Sequence, residues 1–325
     1  MKAVLCREFG APSVLTVEEI EAPRPGPEEV RIAVRAVGVN FPDLLLVAGK
    51  YQARPPFPFS PGIESAGEVI EVGPEVEDIR PGDRVFANHS HGGFAEEVVA
   101  PAATVYPMPE TMSFEQAAAF PVAYGTGYHG LVQRGALAPG ETLLVHGAGS
   151  GVGLVAVELG KLLGATVIAT AGSALKLEVA REYGADHLIN YREEKIRERV
   201  KEFTAGAGAD VVYDPVGGDV MDESVRCINW GGRILVIGFA SGRFADIPSN
   251  LVLIKGMSVV GVYWGSFAAR NPERNRENLR VLLEWFAQGK VKPLISRSFA
   301  LEEAAAALEA LEARKVTGKA VLVPR

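Results

Sequence analysis

Cysteine is scarce in this chain: Cys6 and Cys227 are the only two in 325 residues. That excludes both a disulfide framework and a four-cysteine metal site. Two thiols so far apart in sequence read as reduced, which makes the cytoplasm the expected compartment. Basic charge is also in deficit, with 33 Lys and Arg against 40 Asp and Glu, a formal net charge of −7. Such a surface does not attract phosphate backbones or anionic lipid, so neither a nucleic acid nor a membrane is expected as a partner. Long apolar runs are missing too. Glu158 and Lys161 interrupt an apolar stretch, and residues 1–8 lack an apolar run of signal-peptide length. Internal repeats and low-complexity segments are absent.

What is present suffices for two domains with sizeable cores. Up to about residue 120 the chain consists of short β-like runs, such as Glu29-Val30-Arg31-Ile32-Ala33-Val34 and Ala66-Gly67-Glu68-Val69-Ile70. Pro25-Gly26-Pro27, Pro61-Gly62 and Pro81-Gly82 separate them, a pattern that predicts a mostly antiparallel β domain. Ser113-Phe114-Glu115-Gln116 then forms a capping box opening an alanine-rich helix. From about 140 to 262, apolar strands alternate with helical stretches, which implies a right-handed, doubly wound parallel sheet. Leu301, Ala304, Ala305, Leu308 and Leu311 at helical spacing and a last strand at 319–323 are expected to rejoin the first domain.

The stretch Leu143-Leu144-Val145-His146-Gly147-Ala148-Gly149-Ser150-Gly151-Val152-Gly153 carries the most chemical information. An apolar strand runs into clustered glycines and then into a helix, the βα turn that cradles a dinucleotide pyrophosphate. Its glycine spacing departs from G-x-G-x-x-G, but a second apolar run, Thr166-Val167-Ile168-Ala169-Thr170, follows at the distance a βαβ unit requires. One residue type is missing here as well. NAD sites place an acid about 20 residues beyond the glycines to hold the ribose 2′-hydroxyl, and this chain instead reads Ala171-Gly172-Ser173-Ala174-Leu175-Lys176. A hydroxyl and an ammonium at that point suit a 2′-phosphate, so NADPH is the expected cofactor.

Over essentially its whole length the chain resembles the medium-chain dehydrogenase/reductase superfamily. The resemblance is carried by Pro61-Gly62-Ile63-Glu64-Ser65-Ala66-Gly67-Glu68-Val69, by Arg80-Pro81-Gly82-Asp83-Arg84-Val85 and by the glycine turn. It implies an α/β chain with a GroES-like, mostly antiparallel β domain over 1–121 and 264–325, and a Rossmann dinucleotide-binding domain with a doubly wound parallel sheet over 122–263. Zinc-dependent members carry a cysteine in the loop that here reads Val39-Asn40-Phe41-Pro42-Asp43, and a histidine where this chain has Ile63. Neither Asn40 nor Ile63 supplies a thiolate or imidazole, and His89-Ser90-His91 reads as an ordinary surface loop, so no metal is expected.

Without a Lewis acid, a conjugated acceptor is the natural substrate, because the arriving charge spreads over an extended system. More narrowly, the chain resembles the zinc-independent NADPH:quinone oxidoreductase (zeta-crystallin-like) branch. That implies hydride transfer to a quinone in an interdomain cleft. Asn40 would hydrogen-bond near the nicotinamide or the acceptor oxygen, Thr126 would contact the nicotinamide, and Tyr51 would line the cleft, with either Tyr51 or solvent as proton source. Gly149, Ser150, Gly151, Val152 and Gly153 would cradle the phosphates. Ser173, Lys176, Tyr191 and Arg314 would surround the 2′-phosphate, and Gly238, Phe239, Val262 and Tyr263 would edge the nicotinamide.

Leu45 stands where the branch has a second tyrosine, which keeps reduction of an enone or enoyl thioester open. Arg270, Arg274, Arg276 and Arg280 would then meet a carrier's phosphates, although Glu273 and Glu277 among them also fit a solvated helix face. A non-catalytic, crystallin-like NADPH-binding protein is the alternative of another class. The strand-like Met257-Ser258-Val259-Val260-Gly261-Val262 resembles the sheet edge through which family dimers pair, so a homodimer is expected.

Overall fold

A computed structural model of the chain describes residues 1–324. The described chain divides into two compact units, one holding residues 1–122 and 293–324, the other Ala123–Lys292.

The first unit opens with an antiparallel ribbon of β1 (Lys2–Cys6) and β2 (Leu15–Glu19). Its main sheet takes β3 (Glu29–Val39), β4 (Glu64–Val72), β5 (Arg84–Asn88), β6 (Glu97–Pro101) and β7 (Val105–Pro107), all antiparallel neighbours. Along β3 every second residue is buried up to Val34, as a sheet with one covered face requires, and burial then becomes continuous from Ala36 to Val39. There the short helix α2 (Phe114–Ala118) packs across β3 and β4. The β3–β4 connection holds α1 (Phe41–Val47), with Asn40 at its N-cap and Pro42 in its first turn.

The capping box forms as its spacing predicts: Ser113 Oγ accepts from Gln116 N at 3.2 Å, and Gln116 Oε1 accepts from Ser113 N at 3.1 Å. Ser113→Ala should therefore cost about 1 kcal/mol in a chemical denaturation curve. The alanine-rich helix is interrupted sooner than composition suggests. Pro121 lacks an N–H and disfavours helical backbone in the residue before it, so α2 stops and α3 (Pro121–Tyr128) starts afresh.

The second unit is a six-stranded, wholly parallel sheet of β8 (Thr142–Val145), β9 (Thr166–Ala171), β10 (His187–Asn190), β11 (Ala209–Asp214), β12 (Ile228–Val236) and β13 (Ser258–Gly261). The spatial order is β10-β9-β8-β11-β12-β13. This is the doubly wound dinucleotide order, with its topological switch between β8 and β11. The connections include α4 (Gly151–Leu162), α5 (Ala174–Glu182), α6 (Ile196–Phe203), α7 (Asp219–Cys227) and α8 (Ser249–Lys255). Leu143, Leu144, Val145, Val167 and Ile168 are wholly buried, each contributing about 1.5–3 kcal/mol.

After β13 come α9 (Trp264–Arg270) and α10 (Pro272–Ala287), and both stay with the second unit. The sequence reading sends 264–292 back to the first domain. The contacts explain the difference: Trp264 Nε1 donates to Asn275 Oδ1 at 2.9 Å, Gln133 Nε2 donates to Asn278 Oδ1 at 3.0 Å, and His129 stacks on Phe267 with centroids 4.0 Å apart. These polar and aromatic ties carry no periodic signature. The chain then returns to the first unit as β14 (Ile295–Ala300), α11 (Ala304–Glu312) and β15 (Lys319–Val323), and β15 pairs antiparallel with β3.

Candidate active site and dinucleotide cradle

The glycine turn leaves the C-terminal end of β8 at the switch point. Ser150 caps α4, its Oγ accepting from Gly153 N at 3.2 Å, which leaves the first-turn N–H groups of Gly151 and Val152 without an intrahelical partner. These are the groups that, with the positive end of the helix dipole, hold an anion. Gly153 has no space for a side chain, since a Cβ would lie 2.2 Å from Gly147 O. Close packing of turn on helix is what the last glycine secures.

The residues expected at the adenosine end lie beside it. A Cβ on Gly149 would lie 2.7–2.8 Å from the Lys176 stem, so that stem lies directly over the turn. Ser173 caps α5, accepting from Lys176 N at 3.4 Å, and the Tyr191 hydroxyl stands 2.6 Å from where a Cβ of Gly172 would be. Gly149, Ser173, Lys176 and Tyr191 are thereby gathered at the ends of β8, β9 and β10. Gly238 and Phe239 follow β12 and Val262 and Tyr263 follow β13, also beyond strand C-termini, with Val262 buried and Tyr263 half exposed.

Beneath the turn lies a polar floor that sequence reasoning passed over. His146 is wholly buried between Thr170 Oγ1 (3.0 Å) and Ser224 Oγ (2.7 Å). Ser224 gives its hydroxyl proton to Val220 O, so Nε2 of His146 carries the imidazole proton and Nδ1 accepts from Thr170. Burial pushes this histidine's pKa down, against a smaller upward pull from Asp214. Asp214 Oδ1 accepts from Val216 N and Gly217 N, while its buried Oδ2 has no partner among the described residues.

Thr126 lies on α3, where it is 9% exposed, and its hydroxyl has no hydrogen-bond partner among the described residues. Two contacts fix α3 against α4. Gly127 sits where a Cβ would meet Val155 Cγ1 at 2.9 Å, and Tyr124 Oη donates to Glu158 Oε2 at 2.7 Å. Glu158, a mere interruption of an apolar run in the sequence, is buried, and burial raises its pKa.

Asn40, Tyr51 and Arg314 belong to the first unit. Arg314 is exposed just after α11 with φ +57°, and Tyr51 is half-buried against the first unit's core. Asn40 is committed inward: Nδ2 donates to Glu64 Oε1 (2.8 Å) and Gly38 O (3.2 Å), and Oδ1 accepts from Lys319 Nζ (2.5 Å). Both amide hydrogens and the amide oxygen thus have partners within the first unit. The residues that hold Asn40, namely Glu64 and Lys319, were not singled out by sequence reasoning. Lys319 is the one charge of β15, but Glu64 shares β4 with Glu68 and Glu71, so the sequence marks only the lysine as unusual.

Next to them, Asp43 accepts from Asn40 N (2.8 Å) and Gly62 N (3.1 Å). Burial lifts its carboxyl to about 7, against the pull of these N–H groups and Lys319. The two histidines set aside as a loop are half-buried. His89 Nε2 lies 2.7 Å from Ser65 Oγ, and burial lowers this histidine to about 4. No three His, Cys, Asp or Glu side chains converge as a metal would require among the described residues.

Two family models match the chain: an alcohol dehydrogenase GroES-like domain over residues 26–110 and a zinc-binding dehydrogenase domain over 151–287. A quinone oxidoreductase-like protein 2 homolog of Nematostella vectensis is 43% identical over 324 residues, covering 99% of this chain and 88% of that protein. A quinone oxidoreductase of Pseudomonas aeruginosa is 37% identical, covering 99% of both chains. Among solved structures, Escherichia coli quinone oxidoreductase complexed with NADPH superposes with a TM-score of 0.94 at 32% identity, covering both chains in full. With the two sheets, the switch-point cradle and these full-length likenesses together, the chain belongs to the quinone oxidoreductase branch of the medium-chain dehydrogenase/reductase superfamily.

Proposed function

We propose that this protein is a zinc-independent, NADPH-dependent reductase of conjugated acceptors, with a quinone as its substrate. The observation that carries the reading is the adenosine pocket. Lys176, Ser173 and Tyr191 gather beside the glycine turn at a site with no acid at the end of β9, a donor set suited to a 2′-phosphate. NADPH, when bound, supplies a hydride. The chain's own part is to hold and orient: the Gly151 and Val152 N–H groups hold the pyrophosphate, Lys176, Ser173, Tyr191 and Arg314 take the 2′-phosphate, and Phe239, Val262 and Tyr263 exclude water around the nicotinamide.

Thr126 offers a hydroxyl free of internal bonds, and Tyr51 or solvent returns the proton to the reduced acceptor. The donor set supports zinc independence: Asn40 and Ile63 are no zinc ligands, and the Asn40 amide is already engaged. Arg270, Arg274, Arg276 and Arg280 are exposed on α9 and α10, and Arg280 pairs with Glu284 on its own helix, so they favour no thioester carrier.

The test is NADPH oxidation, with chelator present, against a simple quinone and a short enoyl thioester, repeated with NADH. Quinone turnover with NADPH preference supports the proposal, and chelator-sensitive turnover defeats zinc independence. Turnover on the thioester alone moves the function to enoyl reduction, and cofactor binding with no turnover on either makes the protein a non-catalytic NADPH binder.

The proposal includes a homodimer. β13 is an outer strand of its sheet with Val259 exposed, and Trp230 (78%), Leu253 (82%) and Ile254 (69%) are exposed apolar side chains on the neighbouring β12 and α8. An open, apolar sheet edge is a template for a second copy. Light scattering should report a dimer for the native chain and a monomer for Val259→Lys combined with Leu253→Asp, whereas a native monomer sinks the assignment. A cytoplasmic location completes the reading, supported by two buried cysteines that form no disulfide.

A further inference from the structure

Glu64 and Lys319 are charges in places that apolar side chains ordinarily fill. Glu64 is 0% and Lys319 7% exposed, on β4 and β15 of the same unit. An ion pair this deep is seldom more stabilising than a well-packed apolar pair, so stability alone is a weak reason for it. Its contacts point elsewhere.

The two oxygens of Glu64 do separate jobs. Oε1 accepts from Lys319 Nζ at 2.7 Å and from Asn40 Nδ2 at 2.8 Å. Oε2 accepts from Val122 N at 2.9 Å, in the first turn of α3, where a helix leaves its N–H groups unpaired and its dipole favours a carboxylate. Thr126 lies four residues further along that helix. Lys319 Nζ directs its three hydrogens to Glu64 Oε1, Asn40 Oδ1 and Val39 O (3.2 Å).

Only one facing of the Asn40 amide suits this arrangement. Turning it over would set its NH2 against an ammonium and its oxygen against a carboxylate. The backbone also makes room for the carboxylate: a Cβ on Gly38 would lie 2.2 Å from Glu64 Oε1 and 2.3 Å from Ala118 O.

We propose that Glu64 is a positioning residue for the reduction, holding the Asn40 amide with one oxygen and the first turn of Thr126's helix with the other, while Lys319 sets which way the amide faces. This rests on the functional reading above. It assigns no proton or electron to Glu64 and no contact with the acceptor.

Glu64→Gln tests the two grips together, because an amide must present its NH2 either to Val122 N or to Lys319 and Asn40. In the folded variant kcat on a quinone should fall about 30-fold, since small misplacements of the groups that orient the reactants are costly. Direct NADPH affinity should stay within about twofold, the dinucleotide cradle being built by other residues. The Val122 amide should exchange hydrogen faster.

The double variant Glu64→Gln/Lys319→Met removes both charges at once and covers the case in which the single variant does not fold. It should keep its cooperative unfolding yet show the same loss of kcat, an outcome that a purely structural ion pair does not produce. A folded variant with kcat within about threefold of the native enzyme, or with unchanged Val122 exchange, overturns the proposal. A native enzyme silent toward both quinone and thioester overturns the functional reading instead, and the Val122 exchange still reports whether Glu64 grips the helix.

Discussion

Lys176→Glu should weaken NADPH binding about 100-fold while changing NADH binding by less than about threefold, because the lost interaction is a charge-assisted one to the single group that distinguishes the cofactors. At the end of β9, where a NAD site needs an acid, this chain has Ala171-Gly172-Ser173. The Lys176 stem lies across Gly149, close enough that a Cβ there would collide with it. A carboxylate at that point repels the 2′-phosphate as well as failing to bind it. Lys176→Met is the control for packing: it keeps the stem over Gly149 and removes only the charge, so a smaller loss of about tenfold, again confined to NADPH, is expected. Both affinities are read by direct titration. Equal losses for NADH and NADPH would mean that Lys176 shapes the turn and does not bind the phosphate.

The parts of this molecule that were legible in the sequence are those whose physics is local or periodic. The β8 turn, the Ser113 cap and the parallel strands announce themselves through glycine clustering, a side chain three residues from its partner, and apolar runs of strand length. The proposed adenosine pocket is nearly as local, since Ser173 and Lys176 share one helix start. The Glu64–Lys319 pair is different in kind: its members are 255 residues apart, and only the antiparallel pairing of β15 and β4 on either side of β3 brings them together. The same holds for α9 and α10, which are tied to the second unit by Trp264, Asn275 and Asn278, side-chain contacts without a repeat. Asn40 shows the limit most clearly. Its place in the chain is local knowledge, but the direction its amide faces is set by two distant charges.

Asp43→Asn should remove a pH dependence of stability amounting to about 4 kcal/mol between pH 4 and 7, from roughly three units of pKa at 1.36 kcal/mol each. In the folded chain this carboxyl is wholly buried. Burial raises it from 3.8 to about 7, Glu64 adds to the rise, and the Asn40 and Gly62 N–H groups and Lys319 only partly oppose it. In the unfolded chain it ionises near its ordinary value. Between the two values the folded state binds one proton more than the unfolded state, so unfolding releases a proton and stability falls as pH rises. The contribution is complete below about pH 4 and lost by about pH 7, beyond which it no longer changes. Carboxylates held low in the fold, such as Glu141 through its hydrogen bond with Arg233, slope the opposite way, so the native curve alone mixes the two. The difference between native and Asp43→Asn isolates what Asp43 contributes. An asparagine has one acceptor oxygen for two backbone N–H groups, which adds an offset of about 1–3 kcal/mol that does not vary with pH. Denaturation curves should therefore place the native protein above Asp43→Asn by that offset near pH 4, and about 4 kcal/mol lower relative to the variant near pH 7.5, where the variant becomes the more stable of the two. A gap of constant width would mean that Asp43 stays ionised in the fold, placing two negative charges against one ammonium beside Asn40. A difference that moves by about 4 kcal/mol means that Asp43 is protonated in the fold below about pH 7.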